Sequence, residues 1–393
     1  MTQKKNKINS ILWCLVIYIQ YIMMPVESVF GLVFVKYLVV LGSVLISIII
    51  NGIRIDFLKI FSFLSVLFLL DFIIFKNVET FNFFYISMFS SSLIMLFFTM
   101  NLKDIKLFFG VYYKYSLLTL FSVLLYIVIS KGNTSSTISY MAIGNVLSFI
   151  SIPLSFRLYF IEDKKFKNHL LLIFLLILSV FFANRMSMIT IFLIYQVPKF
   201  FLYKSKKENI KMYLFTLIET ILLLICILNI DLILNFILQF INGNTSYVLI
   251  KLERMISDSE GLIQGIINSS SGRDILYDKA VDSIISSYGF PQGISGFNVV
   301  GSSGIVFYYP HNVILELLIN FGVFGIPIIL YFLFRLYQKY VQSDENLKFF
   351  ILCFFIFSFS RSLVSSSIWL SPSLWTCFGT LYINSNKKNR KKL

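Results

Sequence analysis

The composition of this 393-residue chain is that of a membrane protein and excludes a soluble enzyme. Hydrophobic residues make up 58% of it, charged residues only 13%, and the mean hydropathy is +0.83, whereas a soluble chain carries about 25% charged residues. The net charge of +15 does not point to a nucleic-acid partner, because Lys and Arg collect in the cytoplasmic loops of membrane proteins. We therefore predict an all-α, polytopic integral membrane protein in contact with membrane lipids.

Apolar runs long enough to cross a bilayer recur through the chain. A spanning helix needs about 20 apolar residues, and twelve such helices are predicted. They cover residues 8–25, 28–50, 58–75, 82–100, 107–129, 140–161, 169–184, 186–203, 212–234, 312–334, 349–364 and 366–384. The predicted organisation is nine spans in 1–234, a large extracytoplasmic loop with short amphipathic helices in 235–311, and three spans with a basic cytoplasmic tail in 312–393.

Basic residues predict the orientation of these spans. With the N-terminus in the cytoplasm, every cytoplasmic segment carries Lys or Arg, from Lys4 and Lys5 near one end to Lys391 and Lys392 near the other. The positive-inside rule then predicts that both termini are cytoplasmic. The four cysteines lie in apolar runs and form no Cys-x-x-Cys or Cys/His cluster, so the sequence predicts neither a disulfide framework nor a metal site.

The large loop contains one clear helical pattern. After the small polar pair Ser271-Gly272, aspartates recur every four residues at Asp274, Asp278 and Asp282, while apolar residues fall mostly on another face. This pattern predicts an amphipathic helix over residues 273–285. A tight turn is predicted to follow in the glycine-rich segment 289–296.

Arg185 is the first candidate functional residue. Residues 170–203 must cross the membrane twice, at about 17 residues or roughly 25 Å per crossing, which is less than the ~30 Å hydrocarbon core. The turn around Arg185 is therefore predicted to lie below the outer surface, where a guanidinium, always charged and shaped for phosphate, favours an anion. The alternative is that its side chain extends to the lipid headgroups.

Two further arginines are predicted near the outer face. Arg273 opens the amphipathic helix, and a helix N-terminus with an arginine makes an anion site; the alternative is a surface ion pair with Asp274 or Asp278. Arg361 lies at the outer end of the eleventh predicted span and is expected to join Arg185 and Arg273 in one basic cavity. Such a cavity suits a lipid-linked phosphate or diphosphate.

His311 stands at the outer end of the tenth predicted span, just after a proline suited to a helix start. A neutral imidazole can act as a general base or bond a hydroxyl; the alternative is a helix-end residue facing water. Glu316 and Asn320 follow on one helical face, and because a lone carboxylate in lipid is costly, this face is predicted to point into the bundle. The other histidine, His169, is predicted to be solvated in a cytoplasmic loop.

These features together resemble the O-antigen polymerase and O-antigen ligase superfamily of bacterial surface polysaccharide synthesis. The resemblance rests on about twelve spans with a large outer loop before the tenth, on Ser271-Gly272-Arg273 opening a helix in that loop, and on the run HNVILELLINFGVFGIP at His311–Pro327. That run is similar to the family's His-Asn, Leu-Glu and Gly-x-x-Gly signature. The first half of the chain matches in topology alone.

The resemblance implies a reaction and roles for these residues. Members transfer an oligosaccharide from undecaprenyl diphosphate to an acceptor hydroxyl at the outer face of the bacterial inner (cytoplasmic) membrane, without metal or cofactor and with inversion. His311 would engage the acceptor hydroxyl, and Arg185 and Arg273, joined by Arg361, would bind the diphosphate. Asn312 and Glu316 belong to the same signature and would support the site. A chain-length regulator protein is implied as a further partner.

The sequence favours a repeat-unit polymerase for O-antigen or capsular polysaccharide, because its richness in Ile, Phe, Lys and Asn is typical of such gene clusters. The first alternative is a ligase that transfers the glycan to lipid A-core. The second is a flippase or transporter, which would place basic residues along several spans and often shows internal repeats. We find no repeat between the two halves, and the candidate residues cluster at one end. A non-catalytic scaffold, the third alternative, would tolerate loss of His311.

Overall fold

The computed structural model describes residues 2–76, 78–130, 140–161, 165–182, 185–202, 217, 221, 273–294, 296–300 and 306–383. The chain divides into two compact units. The first consists of Met1–Ile19, Phe34–Tyr115 and Gly272–Leu393, and the second of Gln20–Val33 and Ser116–Ser271. Apart from Leu217 and Ile221, the predicted ninth span and the loop up to residue 272 lie outside the described residues.

Helices dominate the described part of the chain, as the sequence predicts. In chain order they are α1 (Thr2–Ile22), α2 (Met24–Phe30), α3 (Phe34–Asn51), α4 (Ile55–Phe75), α5 (Val78–Ser87), α6 (Leu93–Met100), α7 (Ile105–Ile129), α8 (Tyr140–Phe160), α9 (Lys165–Phe181), α10 (Arg185–Leu202), α11 (Arg273–Ser286), α12 (Val313–Phe321), α13 (Gly325–Gln342), α14 (Glu345–Ser362) and α15 (Pro372–Thr380). A π-helical turn, Met88–Ser92, joins α5 to α6, and a 3₁₀ turn, Gly322–Phe324, joins α12 to α13.

Several of these helices are long and apolar enough to cross a membrane. Among the described residues they are Phe34–Asn51, Ile55–Phe75, Phe81–Met100, Ile105–Ile129, Met141–Phe160 and Val313–Gln342. The pair α1 and α2, bent by 41°, would make a further span, and α9 and α10 contain shorter apolar helices. The all-α membrane class is confirmed, whereas the count of twelve spans stays a prediction.

The segment predicted as the twelfth span, 366–384, does not form one long helix. Its helix, α15, has nine residues and is therefore about 14 Å long, half the thickness of the hydrocarbon core. Pro372 occupies the start of this helix, where its missing N–H costs nothing, and the chain before it cannot continue the helix. Residues 363–371, named here the serine turn, instead form turns between α14 and α15.

In the second unit, α8, α9 and α10 pack against one another. His169 is half-buried on α9, and its Nδ1 lies 3.0 Å from the hydroxyl of Tyr195 on α10. The ammonium of Lys199 lies 3.9 Å from the centre of the Tyr195 ring. The prediction that His169 is solvated in a loop is therefore wrong, because the helix starts before it and turns its ring onto a neighbouring tyrosine.

Helix α11 confirms the amphipathic pattern read from the sequence. It runs over Arg273–Ser286 and buries Leu276 and Ala280, while Asp278 and Asp282 are exposed. The buried face packs on Phe297 and on Ile319 of α12. Two short strands, β1 (Val299–Val300) and β2 (Val306–Phe307), pair antiparallel with Val299 opposite Phe307. This packing holds α11 against α12.

The segment after α11, residues 287–298, is named here the glycine loop. Gly293 has a φ of +83°, and a Cβ at this position would collide with Phe75 and Asp71 of α4, so only glycine fits. The backbone N–H of Ile294 donates to the carboxylate of Asp71 at 2.5 Å, and that of Gln292 donates to the carbonyl of Ile319 at 2.8 Å. The glycine loop is thereby tied to both α4 and α12.

Candidate functional site

His311 lies in the turn that leads into α12. Its backbone adopts the left-handed conformation, with a φ of +57°, and its ring is half-buried against the ring of Tyr309, with 4.3 Å between ring centres. The Nδ1 atom lies 3.4 Å from the carbonyl oxygen of Ser365. Because a carbonyl only accepts, this contact is a hydrogen bond in the tautomer that carries its proton on Nδ1, and that tautomer leaves the Nε2 lone pair free.

Asn312 begins the helix that follows. Its side-chain oxygen accepts hydrogen bonds from the N–H groups of Ile314 at 2.9 Å and Leu315 at 3.3 Å. These are two of the N–H groups that lack a partner within the helix, so Asn312 is the N-cap of α12. Its side chain therefore fixes the position of His311 by ending the preceding turn.

Glu316 is buried one turn into α12, at 2% exposure. Its carboxylate accepts a hydrogen bond from the hydroxyl of Ser367 and another, 2.8 Å long, from the N–H of Ile368. Both donors belong to the serine turn. The carboxylate predicted to face the bundle interior thus binds the same turn whose Ser365 carbonyl contacts His311.

Asn320, one turn further along α12, is also buried, as predicted. With its amide oriented to suit its neighbours, its oxygen accepts from the indole N–H of Trp369 at 2.9 Å and its nitrogen donates to the Gly293 carbonyl at 3.1 Å. Trp369 belongs to the serine turn and Gly293 to the glycine loop. The polar face of α12 therefore connects the glycine loop to the serine turn.

The serine turn has further attachments to the surrounding helices. The indole of Trp375 on α15 donates to the Ile368 carbonyl at 2.8 Å, and the hydroxyl of Ser92 donates to the Trp369 carbonyl at 2.8 Å. Together with Glu316, these bonds give the turn a fixed conformation without regular secondary structure. A turn held in this way can place the Ser365 carbonyl accurately for the imidazole.

The positive charges of Arg273 and Arg361 reach the titrating rings that precede α12. Arg273 is the first residue of α11 and Arg361 is near the end of α14, and both are half-buried. The positive charge of each lowers the pKa of Tyr309, and that of Arg273 also lowers the pKa of His311. The charges of both guanidinium groups therefore reach Tyr309, and that of Arg273 also reaches His311; the grouping of these residues in one anion-binding cavity stays a prediction.

The electrostatics of this cluster set the protonation of its two rings. Burial lowers the pKa of His311; the hydrogen bond to Ser365 opposes this shift, and the charge of Arg273 adds to it. Burial raises the pKa of Tyr309 to about 12; the charge of Glu316 adds to this shift, and the charges of Arg361 and Arg273 oppose it. Near pH 7 the imidazole is therefore mostly neutral and the phenol is protonated, so one ring can accept a proton while the other donates a hydrogen bond.

Arg185 is the first residue of α10 and belongs to the second unit. Its side chain lies outside the described part of the structure. Its grouping with Arg273, Arg361 and His311 therefore stays a prediction from the sequence.

Three features of the site were not assigned from the sequence. Tyr309, Ser365 and Ser367 were not singled out, because an aromatic residue near a membrane surface and serines at the edge of an apolar run are both common. The run Ser365-Ser366-Ser367 followed by Pro372 is the signal that could have identified a turn here.

Within the described residues, no group of three His, Cys, Asp or Glu side chains is placed to hold a metal ion.

Comparison with known proteins adds no further assignment. No protein-family model matches this chain, and no curated protein or solved structure matches it. The resemblance to O-antigen polymerases and ligases therefore rests on the residues described above.

Proposed function

We propose that this protein is an oligosaccharide repeat-unit polymerase of a bacterial cytoplasmic membrane, with both termini in the cytoplasm. It would transfer a glycan from undecaprenyl diphosphate to a sugar hydroxyl of a second lipid-linked repeat unit at the outer face, building O-antigen or capsular polysaccharide. The observation that carries the proposal is the half-buried imidazole of His311 packed on Tyr309, a ring that the charges of Arg273 and Arg361 reach, at the end of a helix long enough to span the membrane.

The first chemical step assigned to this site is removal of a proton from the acceptor. In the tautomer that bonds the Ser365 carbonyl through Nδ1–H, Nε2 would be the atom that takes the proton from the acceptor hydroxyl. The lowered pKa of His311 keeps most of the imidazole in the neutral form that a general base needs. The site would thus hold its base ready before either substrate binds.

The second step is transfer of the glycan. The acceptor oxygen forms a bond to the anomeric carbon from the face opposite the diphosphate, and the carbon–oxygen bond to the diphosphate breaks. The electron pair of that bond leaves with the diphosphate, whose growing negative charge would be met by Arg273 and Arg361. Attack from the opposite face gives inversion. Arg185 would be a third cation on the diphosphate if it joins this group, as the resemblance implies.

Glu316 supports the reaction without touching the reactants. Its carboxylate holds the serine turn through Ser367 and Ile368, and the serine turn carries the carbonyl that orients His311. We therefore assign Glu316 as a positioning residue.

Polymerisation by purified protein in liposomes tests the proposal. The substrate is a synthetic repeat unit on undecaprenyl diphosphate, and the product is measured by glycan chain length. His311→Gln and Arg273→Gln should each reduce the rate by about 100-fold or more, the usual loss when one group that stabilises a transition state is removed. His169→Gln and Lys279→Gln are matched controls, because they remove the other imidazole and an exposed cation of the same helix.

Each possible result of this assay identifies one function. Long chains from both variants at the wild-type rate would overturn the enzyme proposal. Transfer only to added lipid A-core, with no growth of repeat units, would identify a ligase that uses the same groups. Movement of the lipid-linked unit across the bilayer without any new glycosidic bond would identify a flippase.

A further inference from the structure

We propose that a groove between α13 and α15 binds one acyl chain of an anionic phospholipid, whose phosphate is held by Arg335. The groove lies in the first unit and runs along the Val313–Gln342 helical segment, with Arg335 at the end opposite His311. This inference is independent of glycan transfer and would stand for any function of the protein.

The groove is an apolar cavity of about 400 Å³, within the range of about 300–1,000 Å³ typical of small-molecule sites. Its wall near α13 and α15 includes Ile328, Phe332, Leu374, Phe378 and Leu381. Ile328 is 44% exposed although it lines the cavity, so the groove opens to the surroundings of the helix. A flexible hydrocarbon chain is the ligand that such an open apolar channel in a membrane protein accommodates.

Arg335 gives this groove a charged end. The guanidinium lines the cavity and donates a hydrogen bond to the hydroxyl of Tyr331 at 2.7 Å. Among the residues described by the structure, no carboxylate forms an ion pair with Arg335. A planar, exposed guanidinium retains several donors that match a phosphate group.

The surroundings of Arg335 carry more positive than negative charge. The ammonium of Lys339, one turn along α13, donates to the Ile383 carbonyl, and Arg54 donates to the Tyr382 carbonyl at 3.3 Å. The nearby carboxylate of Asp56 is paired with Arg54 at 3.3 Å. Basic pockets between membrane helices bind anionic headgroups in this way, and the charge therefore favours an anionic lipid over a zwitterionic one.

The position of Arg335 determines which leaflet supplies the lipid. Arg335 follows Val313 by 22 residues in the segment Val313–Gln342, a distance of roughly 30 Å, comparable to the hydrocarbon core. The headgroup would therefore lie at the membrane surface opposite His311, which is the cytoplasmic leaflet in the predicted orientation. The acyl chain would run along α13 from Arg335 towards Leu317.

Native mass spectrometry of the delipidated full-length protein tests this site. The probes are phosphatidylglycerol and phosphatidylcholine with identical acyl chains, added at equal concentration. Wild-type protein should retain one phosphatidylglycerol with roughly tenfold preference, because the choline cation of phosphatidylcholine would add a positive charge beside Arg335, Lys339 and Arg54, whereas phosphatidylglycerol keeps a net negative charge. Arg335→Gln should remove the preference, Arg335→Lys should keep part of it, and Ile328→Trp should reduce retention of both lipids by filling the groove.

Lys103→Gln is the matched control, because Lys103 is an exposed cation on the same predicted side and does not line the groove. It should retain phosphatidylglycerol as the wild type does. Equal retention of the two lipids by the wild-type protein, or an unchanged preference in Arg335→Gln, would overturn the assignment of the headgroup to Arg335. Wild-type retention in Ile328→Trp would overturn the assignment of the chain to the groove.

Discussion

Replacing Glu316 by alanine should loosen the serine turn and weaken its contact with His311, which favours the Nδ1-protonated tautomer. The carboxylate accepts from the Ser367 hydroxyl and from the Ile368 N–H, and Ser367 and Ile368 are 0% and 9% exposed. Alanine leaves both donors buried without an acceptor. Two buried donors left unsatisfied at about 1–3 kcal/mol each would cost about 2–6 kcal/mol. Because hydrogen bonds between membrane helices average only about 0.6 kcal/mol, we expect the lower part of this range, about 2–4 kcal/mol.

Glutamine at position 316 should be less damaging than alanine. Its carbonyl oxygen can still accept from Ile368, and the hydroxyl of Ser367 can rotate to accept from the new amide. We expect a loss of about 1 kcal/mol, the usual net worth of one hydrogen bond. Stability that falls from glutamate to glutamine to alanine at position 316 would therefore indicate a role in hydrogen bonding.

Two measurements check this reasoning. Equilibrium unfolding in detergent gives the free energy, with Asp278→Ala as the control, since an exposed acid of α11 should change stability by less than about 0.5 kcal/mol. Nitrogen-15 NMR of labelled histidine gives the tautomer, and because the chain has two histidines, His169→Gln leaves the His311 signals alone. A Glu316→Ala protein with unchanged stability and an Nδ1-protonated His311 would refute the positioning role.

Further predictions concern the same turn and its supports. Arg273→Gln removes a positive charge that lowers the pKa of His311, so the pKa of His311 titrated by NMR should move upward. On acidification, the polymerisation rate should then fall at a higher pH than in the wild type. An unchanged titration midpoint of His311 would contradict the proximity of the two groups. Asn312→Ala should cost about 0.5–2 kcal/mol of unfolding free energy by removing the helix cap, while Asn312→Asp should cost little. Gly293→Ala should lower the unfolding free energy by about 1–3 kcal/mol, because a Cβ at this positive φ would collide with α4. Gly42→Ala, with open space around it, should be neutral or slightly stabilising. Similar losses of unfolding free energy in both variants would contradict the close approach at Gly293.

Sequence patterns of short range predict much of the described fold. The four-residue recurrence of aspartates gives α11 nearly to its ends, and the spacing of Glu316 and Asn320 places both on the buried face of α12. These predictions succeed because each depends on helical periodicity and on the cost of a polar group in lipid. Hydropathy likewise identifies the long apolar helices of the first unit.

Contacts between distant residues could not be predicted in the same way. The bond from Ile294 to Asp71 joins positions 223 residues apart, and no local pattern reports it. Hydropathy also predicts a span over 366–384 because it counts apolar residues and ignores that Pro372 stops a helix from continuing upstream. The attachment of His311 to Ser365 depends on that turn, so it follows only from the three-dimensional arrangement.

The left-handed backbone of His311 has an evolutionary consequence. A residue with a Cβ in this conformation costs about 1 kcal/mol relative to glycine. Glycine at position 311 would relieve that backbone strain but delete the imidazole and its contacts with Tyr309 and Ser365. A lineage that keeps histidine here therefore accepts backbone strain for what the ring does, and a survey of natural variants could read that trade-off directly.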